Sequence, residues 1–144
     1  MVKLDEVVSF LERVPLFEGL NKRQLERLAK RCIERDYTAG QEIVVQGQGG
    51  VGFFLIISGK AEARRKKADG STVVVNSFGP KDFFGELALL DEGLRTASVV
   101  ATEPSVCLGL TRWDFLAELQ KDPEIALPIL QEVVKRFRHV LDTM

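Results

Sequence analysis

The stretch Phe84-Gly85-Glu86-Leu87-Ala88-Leu89-Leu90-Asp91-Glu92-Gly93-Leu94-Arg95-Thr96-Ala97-Ser98-Val99 puts two charges where apolar residues would be expected. Glu86 interrupts the apolar run from Phe83 to Leu90, and Arg95, nine residues later, heads the apolar segment from Ala97 to Ala101. Such side chains are seldom fully buried unless they are paired. Either Glu86 and Arg95 neutralise each other in an internal salt bridge, or a ligand engages both.

The ligand alternative has a definite chemistry. Gly85 allows a sharp turn and a close backbone approach. Glu86 to Leu90 are good helix formers, predicting about one and a half helical turns stopped by Gly93 as a C-terminal glycine. The leading N–H groups of such a helix lack internal partners and suit a phosphate, and Arg95 adds a planar fork of donors. Glu86 would repel a phosphate but can accept from a hydroxyl such as a ribose 2'-hydroxyl. Anion donors, a hydroxyl acceptor and an apolar surround describe a nucleotide whose phosphate lies close to its sugar.

Gly85-Glu86-Leu87-Ala88 followed by Arg95-Thr96-Ala97 resembles the phosphate-binding cassette of the cyclic nucleotide-binding domain family. That family includes kinase regulatory subunits, gated channels and catabolite-activator-type regulators, and the resemblance runs from about Leu16 to about Arg138. It implies that Gly85, Leu87 and Ala88 donate backbone N–H groups to the cyclic phosphate or its surroundings. Glu86 would then hold the 2'-hydroxyl and Arg95 the exocyclic oxygens. Thr96 is a hydroxyl residue that admits cGMP as well as cAMP, and Ala97 completes the motif. Leu94 departs from the proline frequent before this arginine in kinase-type members. The implied ligand is cAMP or cGMP, with no other cofactor and no metal.

Upstream of the cassette, from Tyr37 onward, turn residues separate short strand candidates. These are Glu42 to Val45, Phe53 to Ile57, Ala61 to Lys66 and Thr72 to Phe78, followed downstream by Ala97 to Ala101 and Val106 to Leu110. Asp69-Gly70 is the clearest hairpin turn among them. The pattern predicts an α+β chain: an antiparallel β-roll of jelly-roll type, a short cassette helix, and helices flanking the roll at both ends. Gly47-Gln48-Gly49-Gly50 lacks the lysine of a phosphate loop and reads as a turn. Arg64-Arg65-Lys66-Lys67 reads as a solvated hairpin tip. Alternation places Ala61 with Ala63, and Val73 with Val75, on single faces. By family position Ala63, Val73 and Val75 would wall the base pocket, although plain roll core is an equal reading for each.

Residues 3 to 13 place Leu4, Val7, Val8 and Leu11 on one helical face, and Pro15 ends that helix. Asn21 and Gln24 have capping-box spacing, with Leu25, Leu28, Ala29 and Cys32 as the inner stripe. Beyond the roll, Thr111 is expected to cap a helix carrying Trp113, Phe115, Leu116 and Leu119. Asp122-Pro123 reads as the cap and start of the next helix, with Pro128 interrupting it or marking its true beginning. In that last helix the apolar stripe from Ile125 through Ile129, Leu130, Val133, Val134, Phe137, Val140 and Leu141 spans about 200°. One docking face needs only about 100°. The resemblance implies a lid over the base, with Phe137 or Leu141 stacking and Arg138 reaching the polar rim. It equally suggests a homodimer seam or contact with an output domain or partner protein, and packing against the N-terminal helices is the simpler alternative.

The expected organisation is one domain over residues 1–144, with N-terminal helices in 1–35, the roll in 36–110 with its cassette at 84–99, and C-terminal helices in 111–144. A net charge of -1 lacks the basic excess of a nucleic-acid binder, and no apolar run reaches the about 18 residues of a membrane span. The N-terminus has no secretory pattern, so a soluble cytoplasmic protein is expected. Cys32 and Cys107 read as reduced core thiols. With one histidine, His139, there is no metal set, and neither cysteine has a histidine nearby in sequence. The expectation is a non-enzyme that binds a cyclic nucleotide as a sensor, or alternatively a protein-interaction or oligomerisation module with the same fold.

Overall fold

The computed structural model describes residues 2–49, 52–91 and 93–144. The chain divides into two compact units, Ile33–Arg112 and a helical unit made of Met1–Cys32 with Trp113–Met144. The expected roll, 36–110, lies within the unit Ile33–Arg112.

Among the described residues, eight strands build the first unit: β1 (Ile33–Tyr37), β2 (Glu42–Val44), β3 (Gly52–Ser58), β4 (Ala61–Lys66), β5 (Thr72–Phe78), β6 (Phe83–Phe84), β7 (Ser98–Ala101) and β8 (Ser105–Thr111). They form two four-stranded antiparallel sheets, in the orders β1-β8-β3-β6 and β2-β7-β4-β5. Ile56, Phe84 and Cys107 of the first sheet meet Val44, Ala61, Ala63 and Val99 of the second in one buried cluster. The core of the roll thus lies between the sheets. The Phe84 ring stacks on Phe54 and tilts against Phe78, fastening the strand that leads into the cassette.

β1 and β6 are additions to the expected strands. β1 is exposed along most of its length and carries Glu34, Arg35 and Asp36; its pairing with β8, from Ile33 opposite Gly109 to Tyr37 opposite Ser105, is a matter of backbone bonds. β6 has only two residues, at the start of the apolar run and ahead of the expected cassette helix. The hairpin at Asp69-Gly70 forms as expected, with Gly70 at φ 89° and Lys67 N–H donating to Ser71 O at 2.8 Å. Gly47 and Gln48 turn the chain, with Gly47 at φ 83° and Gln48 N–H bonded to Val45 O. Gly50, the last residue of that expected turn, lies outside the described residues.

The helical unit contains α1 (Leu4–Glu12), α2 (Lys22–Arg31), α3 (Arg112–Lys121, its first residue shared with the roll unit) and α4 (Ala126–Asp142). On α1, Val7, Val8 and Leu11 are buried while Leu4, expected beside them, is exposed. Asn21 Oδ1 accepts from Gln24 N–H at 2.9 Å and Gln24 Oε1 from Asn21 N–H at 3.0 Å, completing the capping box. Phe115 is fully buried and its ring lies 6.1 Å from that of Phe17, whereas Trp113 on the same helix is largely exposed. Arg31 donates from Nε to the buried Glu118 carboxylate at 2.7 Å and from Nη1 to Asp114 at 3.2 Å.

Pro128 does not interrupt the last helix. It is the third residue of α4, where a missing N–H leaves no intrahelical bond unmade. Its ring sits so close to Gly19 that a Cβ there would fall 2.8 Å from Pro128 Cβ. Asp122 caps a separate 3₁₀ turn, Pro123–Ile125, accepting from Glu124 N–H at 3.2 Å. Along α4 the wide stripe resolves into two rows. Ile129 is buried and Val133 half-buried, while Leu130, Val134, Phe137, Val140 and Leu141 are exposed.

Candidate functional site

The cassette begins where β6 pairs with β3, Phe84 lying opposite Phe54. Gly85 follows at φ 82°, a left-handed conformation that favours glycine. It starts a 3₁₀ helix over Glu86–Leu89, shorter and tighter than the expected α-helical turns. The chain leaves this turn at Leu90, and Gly93 is not its left-handed cap. Gly93 N–H instead bonds the Asp91 carboxylate at 3.0 Å. The Ala88 N–H donates to Gly85 O at 3.0 Å, so one of the three expected backbone donors is engaged within the turn.

Arg95 returns to the same place. Its guanidinium packs directly on Gly85, where a Cβ would lie 2.3 Å from Nη1. Nη2 donates to the Gly52 carbonyl, which belongs to the start of β3. Nε is buried and has no hydrogen-bond partner among the described residues. Burial pulls the Arg95 guanidinium below its ordinary value, and the charge of Glu86 opposes that shift. Glu86 itself is half-buried, and the two charges therefore sense each other across the turn.

The backbone of Arg95 is held at both its polar groups. Gly47 N–H donates to Arg95 O and Arg95 N–H to Gln48 O, each at 2.9 Å. Leu94 forms an isolated bridge with Gly49. Beside this anchored segment opens a cavity of about 350 Å³ lined by Gly85, Leu87, Ala88, Asp91, Gly93, Leu94, Arg95 and Thr96. Its volume lies within the about 300–1,000 Å³ usual for small-molecule sites. One half-buried cation, two glycines and exposed Leu87 and Leu94 at the rim suit a small anion with an apolar portion.

Five of the seven motif residues expected at the site, Gly85, Leu87, Ala88, Arg95 and Thr96, thus come together around one cavity. Glu86 is in the intervening turn, and Ala97 packs against the roll core. Of the three residues expected at the base, Ala63 is buried in the inter-sheet cluster, Val73 is half-buried and Val75 is exposed. The β4–β5 ladder slips between Ala63 opposite Asn76 and Arg64 opposite Val74, leaving Val75 as the extra residue. Phe137, Arg138 and Leu141 are exposed on α4. Sequence reasoning read Gly47 and Gln48 as a turn without placing them against Arg95, and did not find Gly52. Gly52 lies 43 residues from Arg95, and nothing local to either marks the contact. Among the described residues no group of three or more histidine, cysteine or acidic side chains could hold a metal ion.

The sequence profile described as cyclic nucleotide-binding domain matches residues 34–122. The cyclic AMP receptor protein of Thermus thermophilus is 36% identical over 124 residues, covering 86% of this chain and 57% of that protein. The cAMP-dependent protein kinase regulatory subunit of Aspergillus fumigatus is 44% identical over 93 residues, 65% of this chain and 22% of that protein. A crystal structure of the N-terminal domain of a transcriptional regulator from Streptomyces coelicolor A3(2) matches with a TM-score of 0.86 at 31% identity, covering 94% of this chain and 96% of that one. The chain therefore spans well under two thirds of the length of either curated relative.

Proposed function

This chain belongs to the cyclic nucleotide-binding domain family, and we propose that it binds a 3',5'-cyclic nucleotide, cAMP or cGMP, as a sensor module. The observation that carries the reading is the half-buried Arg95 guanidinium, its Nε without a partner, packed on a left-handed Gly85 beside the cavity. A desolvated cation in that position gains most from a ligand that brings negative charge. The cyclic phosphate would meet Arg95 and the backbone around Gly85 and Leu87. The ribose 2'-hydroxyl would meet Glu86, and Thr96 would offer its hydroxyl to the phosphate or to a guanine amino group. In this reading the roll face near Ala63, Val73 and Val75 receives the base. Residues Phe137, Arg138 and Leu141 of α4 supply the lid, and closure passes the signal to an output domain or partner protein. A ligand shifts such an equilibrium only by contacting the two states differently.

Calorimetric titration of protein unfolded and refolded to remove carried-over ligand, with cAMP, cGMP and 5'-AMP in parallel, tests the reading. Saturable one-site binding of a cyclic nucleotide, with 5'-AMP much weaker, is expected. Arg95→Ala removes a charge-assisted contact worth about 1.5 to 3 kcal/mol, so affinity should fall about 10- to 200-fold. Unchanged affinity in that variant would remove phosphate recognition from the reading.

A second reading, an oligomerisation module, is favoured by the exposed row on α4. Leu127, Leu130, Val134, Phe137 and Leu141 alternate at intervals of three and four residues and are all exposed. That spacing is the seam of a coiled coil, and it is compatible with nucleotide binding in the same chain.

A further inference from the structure

The cavity beside Arg95 depends on how the Arg95 backbone is held, and the hydrogen bonds around it lead to a residue outside the cavity lining. Both backbone polar groups of Arg95 are bonded to Gly47 and Gln48. Those residues lie in a turn with Gly47 at φ 83°, which by itself is a poor fixed point. The fixed point precedes them. Gln46 Nε2 donates to the Lys66 carbonyl at 3.1 Å while Lys66 N–H donates to Gln46 Oε1 at 2.7 Å. The carboxamide therefore pairs with the end of β4 as one residue of a neighbouring strand would. Gln46 N–H in turn donates to Ser98 Oγ at 2.8 Å, at the first residue of β7 and three residues beyond Arg95.

We propose that Gln46 is a positioning residue for Arg95, locking the 46–48 turn between β4 and β7 so that the guanidinium is presented to the anion. The proposal rests on the cyclic nucleotide reading for its affinity consequence and on the hydrogen bonds alone for its structural one. Alternative donors for the turn are few, because its own N–H groups are committed to Val45, Arg95 and Ser98. A second tie from the same strand, Arg65 Nε to Thr96 O at 3.3 Å, reaches the other side of Arg95. It is one bond and the longest of the three, whereas Gln46 makes two at 3.1 and 2.7 Å, so Gln46 carries the larger share.

The test combines two measurements on the intact chain. Gln46→Leu leaves an apolar side chain one bond shorter and removes both bonds; Gln46→Glu keeps the acceptor and loses the donor. In nucleotide-free protein, amide exchange at Gly47 and Arg95 should accelerate in Gln46→Leu while the β3 and β8 amides stay protected. Titration with cAMP and cGMP should give an affinity about five- to thirtyfold weaker, the fold-change expected from two neutral hydrogen bonds. In an Arg95→Ala background the same substitution should cost nothing further, because its effect passes through Arg95. Unchanged affinity in a chain that binds nucleotide, or a loss that persists in the Arg95→Ala background, would overturn the role. Should Gln46→Leu fail to fold, Gln46→Glu serves in its place, with the same signs and a smaller loss expected. If the unaltered chain bound neither nucleotide, the ligand reading would fall and the affinity role with it. Unaccelerated exchange would sink the positioning role alone.

Discussion

At Gly85 a Cβ would lie 2.3 Å from Arg95 Nη1 and 2.8 Å from the Gly52 carbonyl oxygen, and the backbone there is left-handed. Gly85→Ala should therefore act twice. It strains the backbone by about 1 kcal/mol or more, seen as a lower midpoint in urea, and it displaces the guanidinium. Cyclic nucleotide affinity should then drop as far as in Arg95→Ala, and an alanine variant with full affinity would contradict the close packing. The two thiols behave differently. Burial pushes Cys32 from 9.0 up to about 12, aided by the charge of Asp114, and Cys107 up to about 11. Both shifts are upward, so the unfolded chain releases these protons from about pH 9 while the folded one keeps them. Stability from each thiol is complete below pH 9 and falls by about 1.4 kcal/mol per pH unit above it, towards pH 11 for Cys107 and 12 for Cys32. Urea unfolding between pH 8 and 10.5 should show this decline, and Cys107→Ala should make it shallower. An equal slope in that variant would refute the burial argument.

At the scale of elements, the capping box offers the cleanest measurement, since both of its hydrogen bonds are local to the start of α2. Asn21→Ala should cost about 1 kcal/mol in chemical denaturation. A neutral result would mean that packing of Leu25 and Leu28 alone sets where α2 begins. This helix was legible in the sequence because cap and stripe agree within a few residues. Strands β4 and β5 were legible for the same reason, a strong turn between two alternating runs. β1 was not, because its charged, exposed residues give no burial pattern and its evidence is the ladder to β8, some seventy positions away. The cassette was legible as chemistry but not as geometry. Glu86 and Arg95 stand out among apolar neighbours, yet the tightening to a 3₁₀ turn and the contact with Gly52 arise only when β6 is drawn onto β3. Pro128 left two alternatives open because position within a helix, unknown from sequence, decides whether a proline breaks it or is accommodated near its start.

Across the whole chain the largest unexplained feature is the face of α4. The helix runs 17 residues, and one row of it, Ile129 with the partly covered Val133, is buried. The second row stays open: Leu127, Leu130, Val134, Phe137 and Leu141 remain between 44% and 61% exposed. Their three-and-four spacing gives the 3.5-residue period of a two-stranded left-handed coiled coil, whereas a face meant for one side of a globule drifts at 3.6. At 17 residues the helix is about 25 Å long and spans two heptads. Sedimentation equilibrium should find a monomer–dimer equilibrium, and the double variant Leu130→Glu, Val134→Glu should shift it to monomer. Both positions are exposed and outside the residues proposed for the lid, so helix content by circular dichroism should be retained. A chain that stays monomeric at every concentration, or a double variant that still dimerises, would exclude the seam. With dimerisation present and nucleotide binding absent, the family fold would be serving assembly here. With both present, the helix that carries the proposed lid also carries the dimer contact, and ligand affinity should depend on protein concentration through linkage between the two equilibria.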